Sequence, residues 1–276
     1  KLVNRCENIY FNKNEHYRAK IETETREARF NSWLENKYSK KNKERSNPIL
    51  QRLRSLKDPI EINLIQQACD ITNKGFRRIL GFVKPGVWEY EIEAEFIHEF
   101  LINRSKKFAY TPIIASGNNA NILHYIENNM QCKGGDLILL DVGAEYANYS
   151  SDMTRTIPVN GRFNKRQKAI YNAVLNVKNE ATKLLVPGTD WAEYHIEVGK
   201  LMSSKLVDLK LLDKVDIRNQ TKEKPAYKKY FMHGTSHHMG LDTHDYGLLE
   251  EPMQENMVFT VEPGIYLPKE GFGIRL

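Results

Sequence analysis

Apolar positions recur at helical spacing in two widely separated places. Within residues 60–80, Ile62, Leu64, Ile65, Ala68, Ile71, Phe76 and Ile79 recur at roughly helical spacing, which predicts an amphipathic helix. Asp58 stands where an N-cap belongs, Pro59 at the first helical position, and Pro85 with Gly86 ends the pattern. A second helix is predicted over residues 89–103. The same order returns later: a helix over residues 169–186, a break at Pro187 and Gly188, and a helix over residues 193–206. After each Pro-Gly pair the text is similar, WEYEIE from Trp88 and WAEYHIE from Trp191, so an internally duplicated fold is expected.

Between and after these helix pairs lie short strand-like runs at residues 110–115, 137–142, 154–159, 230–232, 257–261 and 273–276. Most are joined by turn-length connections, so the sheet is expected to be largely antiparallel and the class α+β, with helices packed on one face. Residues 49–56 read as a short strand. The charged run at residues 37–45 lacks an apolar face and reads as a solvated helix end or linker. The main domain is therefore expected to begin near residue 51, preceded by a smaller segment over residues 1–50.

Composition narrows the function classes. A chain of 276 residues with 41% apolar content has enough material for a sizeable core. The net charge of +6 arises from 41 basic residues interspersed with 35 acidic ones, a mildly basic surface rather than a nucleic-acid footprint. The basic stretch at residues 37–54 also lacks interleaved aromatics for stacking on bases. No apolar run approaches bilayer length, so no membrane association is expected. Cys6, Cys69 and Cys132 are few, odd in number and far apart, which fits a reducing, cytoplasmic setting.

Candidate chemistry sits in four segments. The stretch LLDVGAEYANYSSDMTRTI reads as strand, turn and strand; a turn centred between Tyr146 and Ala147 sets Asp141 directly opposite Asp152. Residues so placed have Cβ atoms roughly 5 Å apart, which lets two carboxylates share cations about 3.5 to 4 Å apart. Taken alone, the pair reads more readily as two exposed turn aspartates. The segment FMHGTSHHMGLDTHDYG holds four of the eight histidines: His233, His237, His238 and His244. Its glycines argue against a helix, and this density is better explained by metal binding and proton transfer than by isolated core histidines. His238 is expected to face away from its neighbour. Glu262 ends an apolar run before a Pro-Gly turn, where a carboxylate should be ion-paired or metal-bound. His124, in a loop beside Tyr125, could face substrate or simply solvent.

Taken in order, HYIEN, DVG(x)8D, HGTSHHMGLDTHD and VEPGIY resemble the pita-bread metallopeptidases of family M24, and within them the Xaa-Pro aminopeptidases, also called aminopeptidase P. The resemblance runs from about Ile49 to Leu276 and implies the pita-bread fold: a curved antiparallel sheet with two pseudo-repeated helix pairs on its outer face. It implies that residues 1–50 are the tail of a smaller N-terminal domain and that residues 51–276 are the catalytic domain. It also implies two divalent metal ions, Mn²⁺ before Co²⁺ or Zn²⁺, with Asp141 chelating one, Asp152 bridging both, and His237 with Glu262 on the other.

A fifth ligand, a bridging glutamate, follows the family's Gly-Ile-Arg-Leu segment, here residues 273–276; without it, weak or absent second-metal binding is expected. The implied reaction is hydrolysis of the bond between an N-terminal residue and a following proline, by a hydroxide held between the metals. Glu262 would move the proton, and His124, His233 and His244 would orient substrate, stabilise the oxyanion and assist the leaving nitrogen. Arg275 would order the ligand carboxylates or bind substrate. The resemblance further implies a peptide partner with proline second and a dimeric or tetrameric whole protein. Two rival readings are a dipeptidase of the same fold, prolidase, and a pita-bread domain that binds proteins without catalysis.

Overall fold

The computed structural model describes residues 3–11 and 24–276, so part of the segment over residues 1–50 lies outside the described residues. The elements run β1 (Asn8–Phe11), α1 (Arg26–Lys37), β2 (Asn42–Arg45), α2 (Asn47–Ser55), α3 (Pro59–Phe82), α4 (Glu89–Ile102), β3 (Ile113–Ser116), β4 (Leu137–Val142), β5 (Glu145–Tyr146), β6 (Tyr149–Ser150), β7 (Met153–Pro158), α5 (Lys165–Leu184), α6 (Trp191–Asp208), α7 (Lys214–Asn219), β8 (Gly264–Leu267) and β9 (Phe272–Arg275). Two compact units result, one of residues 1–55 with residues 246–248, the other of residues 56–245 and 249–276.

In the smaller unit, β1 pairs in parallel with β2, and Arg54 lies over the Tyr246 ring at 4.8 Å. Two expectations fail here. The run at residues 37–45 contains a paired strand as well as the helix end, and the segment read as a strand at residues 49–56 is the helix α2. Ile49, Leu50 and Leu53 are spaced as a helix face, and Pro48 sits in the first turn, where its missing N–H costs nothing.

The larger unit is built on the antiparallel order β3-β4-β7. Strand β4 is buried along its whole length, and its alternation divides the core. Ile138, Leu140 and Val142 pack with Ile71, Ile79, Ile92, Phe96 and Phe100 of α3 and α4. Leu139 packs on the opposite face with Ile113, Ala115, Tyr125 and Tyr266. Asp141 shares the parity of Leu139, so the two-residue period of the strand carries it to the face away from α3 and α4.

The second helix pair, α5 and α6, packs with β8 and β9 through Val174, Val177, Met202, Ile265 and Ile274. Both pairs use the same device at the break. Gly86 N–H donates to Cys132 O at 2.9 Å and Cys132 N–H to Val87 O at 2.8 Å. Gly188 N–H donates to Met253 O and Met253 N–H to Thr189 O, each at 2.8 Å. Gly86 and Gly188 adopt φ of 95° and 91°, which glycine reaches without strain. At this register buried positions coincide, Ile79 with Ala181, Ile92 with Tyr194, and Phe96 with Val198. The WEYEIE and WAEYHIE words are out of step with it by one or two residues: Trp88 corresponds to Asp190, not Trp191.

Residues 230–232 and 257–261 do not form regular strands. The later run carries isolated ladder bonds to residues 235–239 instead, Met239 N–H to Val258 O, Thr260 N–H to His237 O and Glu262 N–H to Thr235 O, while Tyr230 O accepts from Tyr266 N at 2.9 Å. Among the described residues, no helix is long and apolar enough to cross a membrane.

Candidate metal centre

The hairpin that carries both aspartates turns at Ala147 and Asn148, with φ of 49° and 70°. Positive φ at both central positions is the two-residue turn whose twist suits a hairpin. The register is therefore one residue later than the sequence suggests: Asp141 faces Thr154, not Asp152, and Asp152 lies just before β7. The two carboxylates are nevertheless brought together, because one hydroxyl contacts both. Tyr110 Oη lies 2.5 Å from Asp141 Oδ1 and 2.9 Å from Asp152 Oδ1.

Tyr110 reaches them through Gly143. A Cβ at Gly143 would stand 2.9 Å from Tyr110 Cε1 and 1.9 Å from the Ser151 carbonyl oxygen, so the chain tolerates only hydrogen there. Burial and the two carboxylates push the Tyr110 phenol well above its ordinary pKa, which keeps it a proton donor. Reading the segments separately missed this residue. Its sole signal was its place at the head of the run that pairs with β4.

The other oxygen of Asp141 is held by Arg275 Nη2. Arg275 is itself buried, with Nη1 donating to Tyr266 Oη at 3.1 Å and Nε to Thr154 Oγ1 at 3.3 Å. Its guanidinium thus orders a carboxylate rather than pointing outward. Burial pushes Asp141 up to about 6 against the opposing pull of Arg275. Burial would also raise Asp152, but His237, Tyr110 and Arg275 hold it below its ordinary value.

His237 Nε2 lies 3.2 Å from Asp152 Oδ2 and 3.0 Å from Glu262 Oε1. Ligand atoms from these three residues all fall within 4.8 Å of one another. The Nδ1 of His237 sits 2.9 Å from the His238 carbonyl, so Nδ1–H donates to the backbone and Nε2 presents its lone pair to the carboxylates. That buried Nε2 has no partner in hydrogen-bonding geometry. An imidazole oriented through its far nitrogen, with an unmatched lone pair facing two carboxylate oxygens, fits a divalent cation. Without a cation the two acids would capture a proton there: burial alone would lower His237, but contact with Asp152 and Glu262 pushes it up to about 10. Glu262 is steadied by Thr260 Oγ1, which donates to its Oε1 at 3.1 Å.

The remaining histidines take different places. His244 is exposed but lies edge-on to His237, ring centroids 4.4 Å apart, and partial desolvation with the His237 charge lowers its pKa. His124 is exposed on a turn, yet close enough to His244 for the two charges to oppose each other. His233 has both nitrogens occupied, Nδ1 by Gly234 O and Nε2 by Tyr266 Oη, each at 2.7 Å. Burial lowers it to about 4. His238 turns away, stacked on Trp191 with centroids 6.0 Å apart and 16° between planes.

A model of metallopeptidase family M24 matches residues 63–276. The chain belongs to this family. It is 41% identical over 241 residues to a Xaa-Pro aminopeptidase of Haemophilus influenzae, covering 83% of this chain and 56% of that protein. The structure resembles proline aminopeptidase P II of Yersinia pestis with a TM-score of 0.85 and 34% identity, covering 100% of this chain and 66% of that one. It also resembles zinc-substituted Escherichia coli aminopeptidase P in complex with product, with a TM-score of 0.83 and 34% identity, covering 98% and 64%. These likenesses and the antiparallel core with two helix pairs show the α+β pita-bread fold. The chain spans about half the length of the curated relatives it matches, 56% and 50% for the bacterial protein above and the human Xaa-Pro aminopeptidase 3.

Proposed function

We propose that this M24 chain carries the catalytic site of a metal-dependent Xaa-Pro aminopeptidase, in which residues 51–276 form the catalytic domain and residues 1–50 close a smaller N-terminal domain. The observation that carries this reading is the convergence of His237 Nε2 with the Asp152 and Glu262 carboxylates, beside an Asp141 fixed by Tyr110 and Arg275. Asp141, Asp152, His237 and Glu262 are the metal ligands. A set of carboxylates with one histidine suits Mn²⁺, Co²⁺ or Zn²⁺, and we assign Mn²⁺. When bound, such cations polarise the scissile carbonyl and make water acidic enough to ionise near neutral pH.

The chain's own residues do the rest. Glu262, held by Thr260, accepts the proton of the attacking water. His244 and His124 face the scissile bond as hydrogen-bond donors to the developing oxyanion and the leaving proline nitrogen. His233 lines the proline side and is kept neutral and oriented by Tyr266 and Gly234. Arg275 acts through Asp141, as its buried contacts support. The substrate is a peptide with proline second. The whole protein is a homo-oligomer that engages neither nucleic acid nor membrane. Three cysteines without disulfides support a cytoplasmic setting.

The test is product analysis on peptides of increasing length, with and without Mn²⁺, using the whole protein that carries this chain. Release of the first residue from Xaa-Pro-Xaa peptides supports the reading. Hydrolysis confined to Xaa-Pro dipeptides would show a prolidase instead, and no hydrolysis with no metal bound would show a binding domain.

A further inference from the structure

Glu89, the first residue of α4, is fully buried, and its carboxylate gathers five hydrogen bonds from one loop. The two oxygens divide the loop between them. Oε1 accepts from Ser116 N and Ser116 Oγ at 2.7 Å each and from Asn119 Nδ2 at 3.2 Å, all on the outgoing leg. Oε2 accepts from Tyr125 Oη at 2.7 Å and Met130 N at 2.9 Å, on the returning leg. Between the legs lie the short helical turn Gly117–Asn121 and His124, which is exposed while the adjacent Tyr125 is buried against Ile113, Ala115, Leu139 and Tyr266.

We propose that Glu89 is a positioning residue for His124, clamping both legs of the loop over residues 116–130 so that the imidazole stands over the metal centre. This rests on the reading that His124 faces substrate. A carboxylate is costly to bury, and packing alone would be served by an apolar side chain. What only an acceptor with two multiply bonded oxygens supplies is a single point to which both legs are tied. The duplicated half also turns the same helix position towards a histidine-bearing segment, through ring packing instead of hydrogen bonds. Trp191, the first residue of α6, stacks on His238 beside His237 and so supports the other histidine-bearing segment. Glu93, one turn along α4, adds a contact to Asn128 Nδ2 at 2.9 Å but reaches only the returning leg.

The test combines a double-mutant cycle with hydrogen exchange on the whole, metal-loaded protein. Glu89→Gln turns one acceptor into a donor that faces other donors, whichever way the amide is flipped. It is expected to lower kcat on an Xaa-Pro-Xaa peptide roughly tenfold to hundredfold, with metal content unchanged. In a His124→Ala background the same change should cost little more, because the residue it positions is gone. Backbone amides of residues 117–129 should exchange faster while those of α5 and α6 do not. Tyr125→Phe, which removes one donor from Oε2, should give the same pattern at smaller size and carries the test if Glu89→Gln does not fold. Equal losses with and without His124, or unchanged exchange over residues 117–129, would overturn the proposal. Full activity of His124→Ala on its own would instead overturn the assignment of His124 to the substrate, leaving the exchange arm to decide the clamp.

Discussion

Tyr110→Phe is the most informative single change, because it removes one oxygen atom and leaves the ring in place. The hydroxyl touches an oxygen of each aspartate, 2.5 Å from Asp141 and 2.9 Å from Asp152, in a part-buried site. A hydrogen bond to a charged group is worth about 1.5–3 kcal/mol. Without it, two like-charged groups face each other across an apolar ring edge, so the loss should fall at the upper end of that range. For a domain of this size it corresponds to a fall in melting temperature of roughly 5–10 °C. Because the hydroxyl also sets the spacing of the two carboxylates, Mn²⁺ affinity should weaken about 10- to 100-fold, as when other groups behind metal ligands are removed. Differential scanning calorimetry of the metal-free protein and calorimetric Mn²⁺ titration would read the two effects separately. A variant with unchanged melting temperature and unchanged Mn²⁺ affinity would refute the bridging role of the hydroxyl.

Other outcomes follow from the same geometry. Gly143→Ala drives a methyl into the Ser151 carbonyl and the Tyr110 ring, so denaturant titration should show a loss of about 3 kcal/mol or more. Lys57 and Asp245 form an ion pair at 3.2 Å with both side chains almost fully buried, so Lys57→Met should destabilise by about 3–5 kcal/mol. Adding Asp245→Leu should recover part of that loss in the same titration, and no recovery would argue against a paired origin. His195 is lowered to about 4 by burial and by Lys228, so the folded state resists the proton that the unfolded chain takes up near pH 6.5. Its contribution to stability is complete above pH 6.5 and is lost as pH falls towards 4. His195→Gln should flatten the melting-temperature profile over that window, and an unchanged profile would exclude His195 as its source.

Much of this was legible in the sequence wherever local chemistry decides structure. Asp58 and Glu61 make the expected helix start at α3, Glu61 accepting from Asp58 N at 2.7 Å, and the Pro-Gly breaks place both helix pairs. Strand β4 was read to the residue, since six consecutive buried positions leave little choice. The hairpin register was not, because Ala147 and Asn148 form the turn without a glycine to mark it, and one residue of slip moves every partner. Segments 230–232 and 257–261 are rich in apolar residues, but they pair through isolated bonds and not as regular strands. Tyr110 was invisible for a different reason. It lies 31 positions from Asp141, and only strand pairing across β3 and β4, with the hydrogen of Gly143 as clearance, brings its hydroxyl between the aspartates.

The central claim is that Asp141, Asp152, His237 and Glu262 exist to hold a catalytic metal. It is tested most directly by calorimetric titration of Mn²⁺ into the metal-free whole protein that carries this chain, alongside Asp152→Ala and His237→Ala variants shown to be folded by circular dichroism. The account expects tight binding by the unmodified protein and at least about 100-fold weaker binding by each variant, since each removes a ligand atom outright. Mn²⁺ affinity that is the same in all three would contradict it.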